Sequence, residues 1–422
     1  MYAIVILVGG KGSRVSKLLK NGSKPEIEIN KKKIIDYQLK LINNLNKKIF
    51  FLSNTKFYSL KKYLKKKLKN NSYQIFEEKK PLGTAGCLIQ LTKLNYKFYL
   101  VIDGDLIFNI NFKKLINFHV KKKSVCTLLV HPNNHPYDSD CVDINKDKSI
   151  KKFFFKPHKK KFINNLCLSG IKIVNKDSLK IIKKNKFQDF SKDFLKKYKN
   201  KNRFFAYNTR EYIKDAGTPE RIREVKKDLI NFKYKLGNLN KKIPAIFLDK
   251  DGVINTQKDN QHYQNPIKIL PGVYESIKKI NDSGYMCILV TNQPAVAKGF
   301  ITLSKLKSDL NLLIAKFGDR NAYFDRVYYC PHYPIKGFIG ENKEFKIKCN
   351  CRKPGNGMFL KAISELNINI KKSFMIGDSY SDLEAAKKTK IKFIKVGEKK
   401  FPSNKNYIIK KNLTKAVNYI LK

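Results

Sequence analysis

Short runs of β-branched and other apolar residues recur along the chain. Each ends in glycine or a polar turn, and longer stretches of helical periodicity lie between them. In the first half the runs predict strands at 3–8, 48–53, 98–103 and 125–130, with helices at 34–45 and 56–70. In the second half they predict strands at 245–249, 286–291, 373–377 and 391–395, again separated by helices. Strands alternating with helices predict the α/β class, with a doubly wound sheet in each half. Residues 219–233 open on Pro219 and read as a helix, and the polar stretch that follows carries Gly237 and Pro244. The division predicted is therefore a domain at 1–235, a linker at 236–244 and a domain at 245–422.

Composition adds limits rather than detail. At 422 residues and 42% hydrophobic content the chain can build two cores. No run of about 18 uncharged apolar residues occurs, so no membrane span is expected. The opening MYAIVILVGGKGSR has neither a basic leader nor a small-residue cleavage site, and it reads as a buried first strand of a cytoplasmic protein. The formal charge is +55, yet 81 of the 89 basic residues are Lys, spread along the whole chain. Arg, which base and phosphate readout favours, is scarce, and no nucleic-acid-binding motif appears. Small anionic substrates, not nucleic acid, are the expected partners of such a field. A basic nucleic-acid-binding protein with a zinc module is the competing class, and tight, salt-dependent binding would mark it.

Chemistry gathers at the strand ends. Gly9, Gly10, Gly12 and Ser13 follow the first strand, where bare backbone can approach a phosphate, and Arg14 can neutralise it. Lys24, preset by Pro25, is placed to reach the same phosphates. Gly83, Thr84, Ala85 and Gly86 form a second small-residue loop, suited to a flat base. Asp103-Gly104-Asp105 ends the strand YLVID, and Asp215 lies in DAGTP; two such carboxylates, Asp105 and Asp215, are what Mg²⁺ needs to hold a triphosphate.

The second half carries its own set. In Asp249-Lys250-Asp251-Gly252, Asp249 can attack phosphorus while Asp251 serves as general acid and then base. Thr291 and Asn292 offer polar groups to phosphate oxygens, Lys353 supplies positive charge, and Asp378 completes a Mg²⁺ site with Asp249 and Asp251. Asp382 reads as support for the loop. Of eight cysteines, five are scattered singly as reduced thiols would be. Cys330, His332, Cys349 and Cys351 come in two short hooks and predict a closed structural Zn²⁺ site that brings Arg352 and Lys353 to the phosphate.

The order G-G-x-G-S-R, K-P, L-G-T-A-G, D-G-D, D-x-G-T-P over residues 3 to about 230 resembles the sugar-phosphate nucleotidyltransferases, a Rossmann-like fold. The wording around Lys24 and Tyr37-Gln38-Leu39 is most similar to the heptose-1-phosphate guanylyltransferase branch. The resemblance implies nucleotide contacts by Arg14 and Lys24, base contacts by Gly83 to Gly86, and metal contacts by Asp105 and Asp215. The order D-x-D-G, T-N, K-P, G-D-x-x-x-D identifies the second half as haloacid dehalogenase-like. Its zinc loop, with FLDKDGVIN, TNQ, CPHYP and CRKPGNGM, resembles the heptose-1,7-bisphosphate 7-phosphatase branch, with histidinol phosphatases its neighbour. Departures fall at Phe155 and Leu168 on the sugar side of the first half, and at Pro294, Lys298 and Ser379 in the second. Lys298 keeps the positive charge of the family's usual Arg, and a phosphate-binding role carries over to it. Together the resemblances imply a bifunctional enzyme. It would remove the 7-phosphate of a heptose bisphosphate and transfer a nucleotidyl group, GMP from GTP, to the heptose 1-phosphate. The same two activities on another sugar phosphate are the alternative.

Overall fold

The computed structural model describes residues 1–10, 15, 19, 22–53, 58–158, 164–198, 203–231, 233–256, 267–398, 401 and 407–422. They fall into two compact units. Met1–His131, Ser139–Pro157 and Leu166–Asn238 form the first; Pro132–Asp138, His158–Asn165 and Leu239–Lys422 form the second.

In the first unit β1 (Tyr2–Leu7), β2 (Ile49–Ser53), β3 (Tyr73–Glu77) and β4 (Phe98–Asp103) are parallel, in the order β4-β1-β2-β3. Alternation along β1 shows why: Ala3 and Val5 enter one core, Ile4 and Ile6 the other, so the strand is buried on both faces. The helix expected at 34–45 runs Ile34–Ile42 and tightens into a 3₁₀ turn at Asn43–Leu45; the next runs Tyr58–Lys67. A short β5 (Leu106–Asn109) follows the Asp103-Gly104-Asp105 turn.

The rest of the sheet was not anticipated beyond one strand. After β6 (Cys126–His131) come β7 (Cys141–Ile144), β8 (Ile150–Phe154), β9 (Cys167–Asn175), β10 (Phe204–Asn208) and β11 (Tyr212–Asp215). β9 runs antiparallel to β4 and to β6 and carries β7 and β8 outward. Its apolar pattern is broken by Ser169, Gly170 and Lys172, the last two of which abut Asp103. β11 pairs with β5, bringing Asp215 opposite Leu106.

The second unit is a parallel sheet in the order β14-β13-β12-β15-β16 with a short edge strand at Ile408–Ile409. Here β12 is Ala245–Leu248, β13 Met286–Asn292, β14 Arg326–Cys330, β15 Phe374–Gly377 and β16 Lys392–Lys395. Helices Val273–Asp282, Leu303–Gly318, Gly357–Leu366, Tyr380–Thr389 and Leu413–Ile420 complete it, with an apolar core on each face. β12 lies between β13 and β15, so the chain reverses its direction of winding there, and ligands of such sheets bind at that carboxyl end. Among the described residues no helix is long and apolar enough to cross a membrane.

Candidate functional site

The first candidate site lies at the carboxyl ends of β1 and β4. Gly104 N donates to Leu7 O at 2.9 Å, and a Cβ on Gly104 would stand 2.6 Å from that same oxygen, so the turn requires glycine. Gly9 is half-buried and Gly10 exposed with open space where a Cβ would sit. Gly12, Ser13 and Arg14 lie outside the described residues. Lys24 opens a 3₁₀ turn stapled by Glu26, whose Oε2 accepts from Ser23 N at 2.8 Å and Ser23 Oγ at 2.9 Å. That turn sets Lys24 Nζ 2.6 Å from Asp105 Oδ2. Ala216 N donates to Asp105 O at 2.8 Å, so Asp105 and Asp215 stand on adjoining backbone. Arg221 holds both oxygens of Asp215, at 2.7 and 3.0 Å. Each of the two carboxylates is balanced by its own cation, Lys24 for Asp105 and Arg221 for Asp215.

Two residues that the sequence reading did not single out shape this site. Lys172, buried on β9, places Nζ 2.8 Å from Asp103 Oδ1. Burial pushes the Asp103 carboxyl up, and Lys172 opposes that shift. Gln38, fully buried, straps the turn by donating from Nε2 to Asp103 O and Leu106 O at 3.1 and 2.9 Å. A lysine inside a run of apolar strand residues was the available signal, since lysine is almost never buried without a partner.

At the Gly83–Gly86 loop, protein fills the side of Gly83 and Gly86 where a Cβ would stand. Gly83 has φ +79°, and a Cβ there would meet Gln188 O at 2.5 Å; one on Gly86 would meet Lys186 O at 2.7 Å. Ala85 N and Gly86 N donate to Gln188 O at 2.9 and 3.2 Å, and Thr84 Oγ1 accepts from Phe190 N at 2.8 Å. Glu78 Oε2 accepts from Leu82 N at 2.9 Å at the loop's entry. The departures at Phe155 and Leu168 pack against the apolar core beside Phe153.

The second candidate site sits at the carboxyl end of β12. Asp249 is buried; desolvation first, then the neighbouring Asp382 carboxylate, push its carboxyl up to about 7, while Lys353 pulls the other way. Lys353 Nζ lies 2.8 Å from Asp249 Oδ1, 2.6 Å from Asp382 Oδ1 and 3.1 Å from Val290 O. Those two carboxylates hold the Lys353 ammonium well above its ordinary range. Asp249, Asp378 and Asp382 gather their ligand oxygens within 4.8 Å of one another, a donor set for a metal ion.

Asp251 is not in that cluster, contrary to the expectation that it would join Asp249 and Asp378. Its Oδ1 accepts from Lys250 Nζ at 2.5 Å and Asn255 Nδ2 at 2.9 Å, and its Oδ2 from Gln293 Nε2 at 3.1 Å. Gly252, at φ +84°, abuts the Asp378 carboxylate so closely that no Cβ fits. Asn292 was expected to face phosphate. Instead both its polar atoms clasp Lys353: Nδ2 donates to Lys353 O at 2.9 Å and Oδ1 accepts from Lys353 N at 3.0 Å. Thr291 Oγ1 accepts from Gln293 Nε2 at 2.9 Å. Ser379 caps the helix Tyr380–Thr389 through Asp382, donating from Oγ at 2.7 Å.

Cys330, His332, Cys349 and Cys351 form a donor set able to take a metal ion, their ligand atoms all within 4.8 Å of one another. The Sγ–Sγ separations run from 3.1 to 3.6 Å, and His332 Nδ1 is 3.2 Å from Cys351 Sγ. Tetrahedral bonds of 2.0–2.3 Å give edges of about 3.5–3.8 Å, slightly wider than these. Beyond the hooks, Lys298, Lys346 and Arg352 converge on the rings of Tyr333 and Phe338, at 4.6 to 5.4 Å. Glu341 pairs with Lys346 at 3.0 Å. Burial and the two neighbouring cations lower the Lys298 ammonium.

Geometry of this kind in two α/β units defines a nucleotide-handling enzyme joined to an aspartate-based hydrolase, and comparison with known proteins agrees. Residues 3–231 match the nucleotidyl transferase family, and residues 350–409 match the HAD-hydrolase-like family. The D-glycero-β-D-manno-heptose-1,7-bisphosphate 7-phosphatase of Vibrio cholerae is 41% identical over 143 residues, 34% of this chain and 75% of that one. The enzyme of the same name from Escherichia coli K12 is 36% identical over 146 residues, 35% of this chain and 74% of its own. Among solved structures, HddC from Yersinia pseudotuberculosis aligns with a TM-score of 0.47 and 25% identity, covering 54% of this chain and all of that one. The chain belongs to the nucleotidyl transferase family through its first half and to the haloacid dehalogenase-like phosphatases through its second. It is a two-activity enzyme acting on small molecules.

Proposed function

We propose that the chain carries out consecutive steps toward a nucleotide-activated heptose. The second unit removes the 7-phosphate of D-glycero-D-manno-heptose 1,7-bisphosphate; the first transfers GMP from GTP to the remaining 1-phosphate and releases pyrophosphate. The phosphatase relatives support the sugar, and the wording around Lys24 and Tyr37-Gln38-Leu39 supports the guanylyl branch. One product is the other's acceptor, which gives the pairing a chemical reason.

The observation that carries a bisphosphate substrate is the cation cluster. Lys298 stands beside the Arg352 and Lys346 cations, and among the described residues Glu341 is the carboxylate paired with Lys346. Like charges gathered in a half-buried place are costly unless an anion joins them. A second, non-reacting phosphate supplies that anion. Asp249 Oδ1 is taken by Lys353 and by Lys250 N at 2.7 Å, so Oδ2 attacks phosphorus and the sugar oxygen leaves with a proton from Asp251. Water, deprotonated by Asp251, then releases phosphate from Asp249. Mg²⁺ held by Asp249 and Asp378 would neutralise the phosphoryl charge, and Zn²⁺ on Cys330, His332, Cys349 and Cys351 would fix the loop bearing Arg352 and Lys353.

In the first unit the sugar phosphate oxygen attacks the α-phosphorus in line. Lys24 neutralises charge, Asp105 and Asp215 would hold Mg²⁺, and positioning does the rest. The test compares phosphate release from heptose 1,7-bisphosphate and from heptose 7-phosphate. The proposal expects kcat/KM to favour the bisphosphate by at least about tenfold, and Lys298→Met to erase that preference. Equal rates on both substrates would remove the bisphosphate reading.

A further inference from the structure

Lys172 is a charged residue in the middle of a nine-residue strand, and nothing in the nucleotidyl-transfer scheme above uses it. Its side chain is 7% exposed. Its ammonium lies 2.8 Å from the Asp103 carboxylate and 4.8 Å from the centre of the Phe190 ring. Each belongs to a different part of the first site. Asp103 begins the turn whose other end is Asp105, clasped by Lys24. Phe190 starts the segment that seats the Gly83–Gly86 loop, since its own N donates to Thr84 Oγ1 at 2.8 Å and the preceding Gln188 O takes two loop amides. Gly170, two residues before Lys172 on the same strand, has φ +82°, and a Cβ there would come 2.7 Å from Asp103 Oδ2. β9 has therefore been cleared on one residue and charged on the next-but-one to receive that carboxylate.

We propose that Lys172 is a positioning residue for nucleotidyl transfer, tying the Asp103-Gly104-Asp105 turn to the segment that carries the Gly83–Gly86 loop. The inference rests on the transferase reading of the first unit. A buried lysine that only filled space would have been better replaced by an apolar residue of similar volume, because desolvating an ammonium is expensive and a well-packed apolar substitute is often at least as stable. What the ammonium supplies is direction: one group fixes, at once, the carboxylate end of the turn and the ring under the loop. Displacing either part by an ångström would spoil in-line geometry.

The experiment uses the full chain, in which the Tm of the first unit reports that it is folded and phosphate release by the second unit normalises the amount of enzyme. Lys172→Met should lower kcat for GTP-dependent pyrophosphate release about 10- to 100-fold, with KM for GTP little changed and phosphate release unchanged. Because that variant leaves the half-buried Asp103 without its Lys172 partner, Asp103→Asn/Lys172→Met is the second variant. Its Tm should recover while its kcat stays low. Recovery of kcat together with Tm would reduce Lys172 to a packing residue and overturn the proposal. Amide hydrogen exchange gives a readout independent of turnover. Lys172→Met should speed exchange at both 82–86 and 104–106; faster exchange at the turn alone would break the proposed tie. A wild-type chain that releases no pyrophosphate would count against the transferase reading instead, and the exchange result would still decide the role of Lys172.

Discussion

Lys353 Nζ bridges Asp249 Oδ1 and Asp382 Oδ1, at 2.8 and 2.6 Å, with its side chain only 1% exposed. A single buried cation thus holds Asp249, the proposed nucleophile, and the carboxylate that caps the helix Tyr380–Thr389. Lys353→Met strands two buried acids, which should cost the second unit about 3–5 kcal/mol of stability. Phosphate release should fall about 10²–10³-fold or more in kcat, because the cation facing the transferring group is gone. Pyrophosphate release should persist at temperatures where the second unit remains folded. Parallel phosphate and pyrophosphate assays check this, and joint loss of both would argue against two independent sites.

Asn292 acts through Lys353. With both side-chain atoms bound to the Lys353 backbone, Asn292→Ala should lower kcat for phosphate release about 100-fold, the scale of an ångström's misplacement. Affinity for inorganic phosphate should change much less. If affinity falls as far as kcat, Asn292 touches the phosphate after all.

The two hooks, with four ligands between them, predict about one zinc per chain by elemental analysis. Removing it with a strong chelator should lower the Tm of the second unit and its phosphate release together, since binding free energy at such a site is folding free energy. Cys351→Ser should do the same. A chain that contains no zinc and is indifferent to chelator would leave these residues as plain thiols.

His119 makes the fold pH-sensitive in the acid range. Asn175 Nδ2 donates to Ser124 O at 3.0 Å, which fixes Asn175 Oδ1 as an acceptor, so His119 Nε2 donates to it at 3.0 Å and Nδ1 accepts from Thr127 at 2.8 Å. That arrangement demands the neutral ring. Burial depresses its pKa to about 4 from 6.5. The unfolded chain therefore binds more protons between these values, and stability present above pH 6.5 is lost as pH falls toward 4. The loss is about 3 kcal/mol at one pKa unit per 1.36 kcal/mol. Denaturant unfolding of the wild type and His119→Gln from pH 4.5 to 7.5 measures it. The variant should show a flatter dependence; identical slopes would discount His119.

Much of this was legible in the residues. The unbroken apolar run Ala3–Ile6 and the glycine turn after it announced a parallel strand, and Asp249, Thr291 and Asp378, each closing an apolar run, announced strand ends in one sheet. What the pattern hid was partnership. Lys172 and Gln38 lie far in sequence from the Asp103 turn they serve, so only the folded geometry reveals them. The glycines of the 83–86 loop were legible as a close approach, but not as an approach to Gln188 and Lys186. Asn292 looked like a phosphate ligand because its position follows Thr291 at a strand end; that its amide turns to Lys353 depends on a loop sixty residues away. β9 escaped because Ser169, Gly170 and Lys172 interrupt its apolar run, Gly170 and Lys172 against Asp103.

The most direct test of the account is product formation by Asp249→Asn in the full chain, with Mg²⁺ and GTP, on two substrates. Given heptose 1,7-bisphosphate, the variant should release neither phosphate nor pyrophosphate; given heptose 1-phosphate, it should release pyrophosphate and form GDP-heptose at nearly the wild-type rate. Pyrophosphate release from the bisphosphate would contradict the proposed order of steps, and its loss with the monophosphate would contradict the separation of the two sites.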